Sequence, residues 1–255
     1  ILLTGEKGLG KATFVYHFIN FLLSIDEENS YELNNFSINS NNKSFINVNN
    51  GTHPNFFLLD SNFLDENIKI ENVRNLLVFL RKSTFHKNLK IVLIDNAEHL
   101  NVNSSNALLK SIEEPEKNTF FFIIHNSSSK IIETIKSRCV EFKFFLNIVE
   151  KKDVMKNLIS QFNLDYDYNS ISEKLYYNSP GNILNFLNII NEIKDSSLED
   201  LTTSILKSID IYKKKKDPTT LNFIYYLVEL HYYELSLKNN KFLSIYSFNK
   251  KRILS

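Results

Sequence analysis

The first eleven residues constrain this chain more than any other stretch. Ile1-Leu2-Leu3 is apolar and runs at once into Gly5-Glu6-Lys7-Gly8-Leu9-Gly10-Lys11, after which Val15, Phe18, Ile19 and Leu22 recur at helical spacing. A buried strand, a glycine-rich turn and an amphipathic helix, with a lysine where turn meets helix, form a phosphate-binding loop. Its backbone N–H groups wrap a β-phosphate and its ammonium reaches the β- and γ-phosphates. Three of the chain's five glycines, Gly5, Gly8 and Gly10, lie in this turn. A buried strand is a poor place for a chain to start, so further residues are expected before Ile1.

One position in the loop departs from the pattern. The hydroxyl that should ligate Mg²⁺ is replaced by Ala12, and Thr13 comes one residue late, about 100° round the helix. The loop keeps what a phosphate needs, while metal coordination is weakened. ATP or ADP is therefore a conceivable ligand but not a required cofactor.

Beyond the loop, short apolar runs alternate with amphipathic stretches. Residues 56–59 and 120–124 read as buried strands, 89–95 as a strand ending in an acid, and 140–145 as a fourth. Between them, Val73, Leu76, Leu77 and Leu80 mark a helix begun by Glu71, and 104–114 a helix stopped by Pro115. Strand and helix in alternation call for crossover connections, hence an α/β domain with a parallel sheet over residues 1–147. Residues 26–52 are polar and asparagine-rich, and read as a loop or poorly ordered insertion. After residue 147 the strand-like runs stop. Segments 151–162, 170–177 and 182–193, the last two punctuated by Pro180-Gly181, predict a small three-helix domain over 148–195. Residues 196–255 carry further helical patterns, including 221–237, and read as an incomplete helical association domain.

Composition excludes several function classes. With 30 Lys and Arg against 29 Asp and Glu, the net charge of +1 gives no field that would hold DNA unaided. A single cysteine, Cys139, rules out an internal disulfide and a multi-cysteine zinc site, and fits a reducing cytoplasm. No apolar run reaches membrane-spanning length. The four cations 213–216 read as a solvated run.

Two further elements carry chemistry. Asp95 ends the strand 91–94 where a carboxylate would hold a Mg²⁺ shell, but the next residue, where a general base would stand, is Asn96, whose amide cannot take a proton at neutral pH. Glu98 could be proposed as a substitute, but three residues farther on it belongs to the turn after the strand, and a solvated strand-end loop is the plainer reading. Ser137-Arg138-Cys139 follows a helix expected over 130–136 and precedes a strand. An arginine so placed at the edge of a nucleotide-binding domain can reach a neighbouring subunit's γ-phosphate. His125 and Asn126 read as a strand cap, and His53 before Pro54 as the orienter of a loop.

Taken together, Leu3–Thr13, His53-Pro54, Ile70–Arg74, Asn106–Pro115, Ser137-Arg138-Cys139 and Ser179-Pro180-Gly181 resemble the delta-prime and gamma/tau clamp-loader family of bacterial DNA polymerase III. The resemblance covers roughly residues 1–190, and the Asn106–Pro115 block with Ser-Arg-Cys downstream is its most specific part. It implies an AAA+ P-loop domain, a helical lid over 148–195 and a collar over 196–255. It also implies gamma/tau and delta subunits as partners, and access to the sliding clamp and primed DNA through that complex. Arg138 then corresponds to an arginine finger acting in trans, while Gly5, Gly8, Gly10, Lys11, Ala12, Thr13 and Asp95 form a vestigial nucleotide site. Within the family, Ala12, Asn96 and the lack of a lid arginine near Pro180-Gly181-Asn182 favour the delta-prime type, which does not turn over ATP, over a gamma/tau-type ATPase. A generic AAA+ remodeller fits the Asn106–Pro115 block poorly. Many members carry a four-cysteine zinc module in the region of 26–52. Its ligands are absent here, so no zinc is expected.

Overall fold

The computed structural model describes residues 1–61, 67–84, 89–164, 178–193 and 200–238. It divides into two compact units, Ile1–Leu146 and Asn147–Ser255.

The first unit is built on a sheet of five parallel strands, β1 (Leu2–Gly5), β2 (Phe56–Leu59), β3 (Lys90–Ile94), β4 (Thr119–Asn126) and β5 (Glu141–Lys143), in the order β2-β3-β4-β1-β5. The α/β parallel sheet expected from the alternation is what forms. Because successive strand residues face opposite ways, both faces of the inner strands must be covered, and the central run 91–94 is apolar and buried throughout for that reason. Val92, Ile94, Leu2, Phe121 and Ile123 pack on one side against α3 (Ile70–Arg81) and α4 (Val102–Glu113). Ile91, Leu93, Leu3, Phe122 and Ile124 pack on the other against α1 (Lys11–Ser24) and α2 (Lys43–Asn49).

Helix α2 corrects the sequence reading, which expected only a loop or poorly ordered insertion over 26–52. Its anchoring is polar. Asn42 caps the helix by accepting from the Phe45 N–H at 2.8 Å, accepts from Asn20 Nδ2 at 3.1 Å, and donates to Glu27 Oε2 at 3.0 Å. Ser44 Oγ donates to Glu27 Oε1 at 2.7 Å and lies 3.2 Å from His53 Nε2. The backbone N–H of Asn55 donates to His53 Nδ1, so Nε2 carries the ring proton and donates to Ser44. His53 thus orients the loop before β2, as its place before Pro54 predicted. Val48 supplies the apolar contact.

Helix boundaries differ from expectation where caps decide them. Asn101 accepts from the Ser104 N–H at 2.8 Å, so α4 starts at Val102 rather than at 104. The helix expected over 130–136 shortens to α5 (Glu133–Lys136), because Ser129 is held in a turn by Asn126. Strand β5 occupies only the centre of 140–145.

The second unit is helical where it is described: α6 (Ile148–Gln161), α7 (Pro180–Ile193), α8 (Leu201–Lys215) and α9 (Pro218–Lys238). Asn147 and Glu150 close a reciprocal capping box on α6. Pro180 and Gly181, expected to punctuate, instead form the first turn of α7, where proline's missing N–H costs nothing. The helix expected over 170–177 lies outside the described residues. Met155, Ile159, Ile183, Phe186, Leu201, Phe223 and Leu227 share one apolar cluster, so the segments expected as lid and collar meet in a common core. No helix among the described residues is long and apolar enough to cross a membrane.

Candidate functional site

The glycine loop connects β1 to α1 at the C-terminal end of the sheet. Gly8 and Gly10 both sit at positive φ, 86° and 85°, and Gly10 is the N-cap of α1. An L side chain there would be strained, so glycine is favoured at both positions. Gly5 is required for another reason. A Cβ on it would lie 2.6 Å from the Phe144 carbonyl oxygen, because the chain leaving β5 passes close beside the turn.

Lys11 opens α1 and is buried. Its ammonium donates to the carbonyls of Gly5 at 2.7 Å and Glu6 at 2.8 Å. Two of its three donors thus stabilise the loop and one is left for a ligand. Burial lowers its pKa, opposed by the carboxylates of Glu98, Asp95 and Glu6. These residues fit a phosphate group. They do not fit a metal shell, since Ala12 offers a methyl that packs against the core and Thr13 faces solvent.

Asp95 and Asn96 follow β3. Asn96 adopts a left-handed conformation at φ 53°, and its amide donates to Asp60 Oδ1 at 2.8 Å. Asp60 follows β2 as Asp95 follows β3, and the sequence reading missed it. An acid closing the apolar run 56–59 was the available signal. A carboxylate at position 96 would meet the Asp60 carboxylate instead of satisfying it. Glu98 lies in a short 3-10 turn (Ala97–His99), and its Oε2 accepts from the Asn126 N–H at 3.1 Å. It is occupied in joining β3 to the end of β4. His125 faces the Ser129 carbonyl through Nε2 at 3.1 Å, which makes the strand-cap role concrete.

Burial, and then the Asp60 carboxylate, raise the pKa of Asp95 above its ordinary 3.8, although the Asn96 N–H pulls the other way. The native state therefore holds a proton that the unfolded chain releases, and stability falls as pH rises through the window just above 3.8. Asp95→Asn should raise the melting temperature at pH 7 by about 2–4 °C. The gain should vanish as pH drops below 3.8. Thermal unfolding across this range checks it, and a lower melting temperature at pH 7 would show that Lys11 outweighs burial.

Arg138 is elsewhere. It stands between α5 and β5, just before the N-terminal end of β5, where Glu141 pairs with Leu2 at the start of β1. Glu113, at the end of α4, accepts from Arg138 Nε at 2.8 Å. Arg138 Nη1 donates to the Thr134 carbonyl at 3.0 Å. Since the strands are parallel, the glycine loop and Asp95 crown one end of the sheet and Arg138 occupies the other. A four-residue strand separates them by roughly 13 Å. The structure thus gathers Gly5, Gly8, Gly10, Lys11 and Asp95 and leaves Arg138 apart. Glu113 was missed as its partner, being 25 residues away in sequence.

Comparison with known proteins matches the sequence that builds this site to a family. The family model described as DNA polymerase III, delta subunit, matches residues 1–146, more than half of the chain. The DNA polymerase III subunit delta' of Pseudomonas aeruginosa is 42% identical over 91 residues, covering 36% of this chain and 28% of that protein. The delta' subunit of Buchnera aphidicola subsp. Schizaphis graminum is 27% identical over 217 residues, covering 85% of this chain and 61% of that protein. A DNA polymerase III subunit gamma from Buchnera aphidicola subsp. Acyrthosiphon pisum is 32% identical over 125 residues, covering 48% and 34%. The matches span less than two thirds of each relative's own length. A glycine loop closing β1, strand-end acids after β2 and β3, and Ser-Arg-Cys ahead of β5 lie within the matched stretch, and the chain belongs to the DNA polymerase III, delta subunit, family.

Proposed function

We propose that this chain is a non-catalytic, delta-prime-type subunit of a DNA polymerase III clamp loader, which supplies Arg138 to nucleotide held by an adjacent ATPase subunit. The observation that carries this reading is the separation of Arg138 from the chain's own glycine loop by the length of the sheet. An arginine at that end serves a phosphate only if another chain brings it. The partners are gamma/tau-type and delta-type subunits, in the cytoplasm. The sliding clamp and primed DNA are reached through the assembled complex, in keeping with a net charge of +1. No cofactor or zinc is required. Nucleotide at the vestigial loop would contact Gly5, Gly8, Gly10 and Lys11 and would stay unhydrolysed.

The alternative, a gamma/tau-type ATPase, draws support from the gamma relatives. It needs a hydroxyl at position 12 and a carboxylate at 96. Ala12 packs, partly buried, against the core and Asn96 is engaged with Asp60. The purified chain should show no ATP hydrolysis above background, since losing either group costs orders of magnitude in rate. Turnover that Lys11→Ala abolishes would overturn the non-catalytic reading in favour of the ATPase.

A further inference from the structure

We propose that Glu113 is a positioning residue for Arg138, bracing the guanidinium so that its Nη2 edge is presented to a phosphate oxygen on the neighbouring subunit. This rests on the trans-acting reading of Arg138 above. The guanidinium is planar and carries five N–H donors in a rigid fork. Glu113 Oε2 holds Nε at 2.8 Å, the Thr134 carbonyl holds Nη1 at 3.0 Å, and Ser137 Oγ lies 3.4 Å from Nη1. The end of α4 and the α5 segment therefore fix the plane from two sides. No hydrogen bond to Nη2 forms among the described residues, so its two N–H donors, which diverge by about 120°, remain for a ligand.

Two consequences follow from this geometry. An unbraced arginine loses most of its rotamer freedom when it docks on a phosphate, and a braced one has already lost it. The side chains of Arg138 and Glu113 are 31% and 56% exposed, so their ion pair is screened and contributes little to folding. Removing Glu113 should then disturb the aim of Arg138 and leave the fold intact.

The test uses the reconstituted complex of this chain with gamma-type and delta-type subunits, the sliding clamp and primed DNA, with ATP turnover followed against ATP concentration. Glu113→Ala should lower kcat about tenfold with KM nearly unchanged. Glu113→Gln, whose amide oxygen still accepts from Nε, should retain most of the rate. Glu114→Gln removes the same charge from the same helix end and should change nothing. Adding Glu113→Ala to Arg138→Ala should cost no further rate. A wild-type rate for Glu113→Ala beside a slow Arg138→Ala complex overturns the brace and leaves the finger standing. Wild-type rates for both overturn the finger itself. A loss on Glu113→Ala that persists in the Arg138→Ala background overturns the claim that Glu113 acts through Arg138. So does an equal loss in Glu114→Gln. Should Glu113→Ala fail to assemble, Glu113→Asp, one methylene short of Nε, carries the same comparison.

Discussion

Arg138→Ala is expected to slow ATP turnover at the adjacent subunit's site by about 10³-fold in the assembled complex, the lower end of what a trans-acting guanidinium supplies to phosphoryl transfer. The isolated chain should barely register the change. Its ion pair with Glu113 is partly exposed, and removal should shift the melting temperature by no more than about 2 °C. Arg138→Lys should recover little, because one ammonium cannot hold Glu113 and Thr134 while also offering the donors of a separate Nη2. The measurements are DNA- and clamp-stimulated ATPase and clamp loading, each beside a melting curve. Wild-type turnover and loading by the alanine variant would reduce Arg138 to a surface charge.

The second large effect is on stability. At an unconstrained site Gly→Ala stabilises by about 0.4–1 kcal/mol, by narrowing the unfolded ensemble. Gly5 is constrained. An added Cβ would lie 2.6 Å from the Phe144 oxygen, 3.1 Å from its Cβ and 3.3 Å from Leu9 Cδ1. The closest of these is backbone just after β5, which cannot rotate aside and is tied to β1 by the Phe144 N–H on the Thr4 carbonyl at 2.7 Å. Gly5→Ala should therefore destabilise by about 1–3 kcal/mol, read as a lower urea midpoint with unchanged slope. A raised midpoint would show that β5 is loosely held.

How far the sequence disclosed this molecule depended on what kind of force holds each part. The strands after Lys90 and Thr119 were legible because a sheet covered on both faces demands unbroken apolar runs. The glycine loop was legible because positive φ at Gly8 and Gly10 and the close approach at Gly5 favour one residue type. Helix α2 was not, because Asn20, Glu27, Asn42, Ser44 and His53 hold it by hydrogen bonds, which impose no period on the sequence. Pro180 and Gly181 misled in a different way, since the same pair suits a loop and the opening turn of a helix. At the site, Ala12 and Asn96 could be read as departures from hydrolytic chemistry, but Asp60 as the partner of Asn96 lies 36 residues away and only the sheet order brings it near.

The opposed placement of the glycine loop and Arg138 gives the α/β unit a direction. On the proposed trans-acting reading, one end is a receptor and the other a donor, so copies of such a unit set end to end would meet head to tail, each offering its arginine to the next unit's loop. Such a row has two unlike ends. A member whose own loop lacked the parts for hydrolysis would lose nothing by standing where its loop faced no donor, while its arginine would still serve inward. The asymmetry of a single sheet would thus fix the place this chain can occupy in a line of relatives, and the direction in which that line is read.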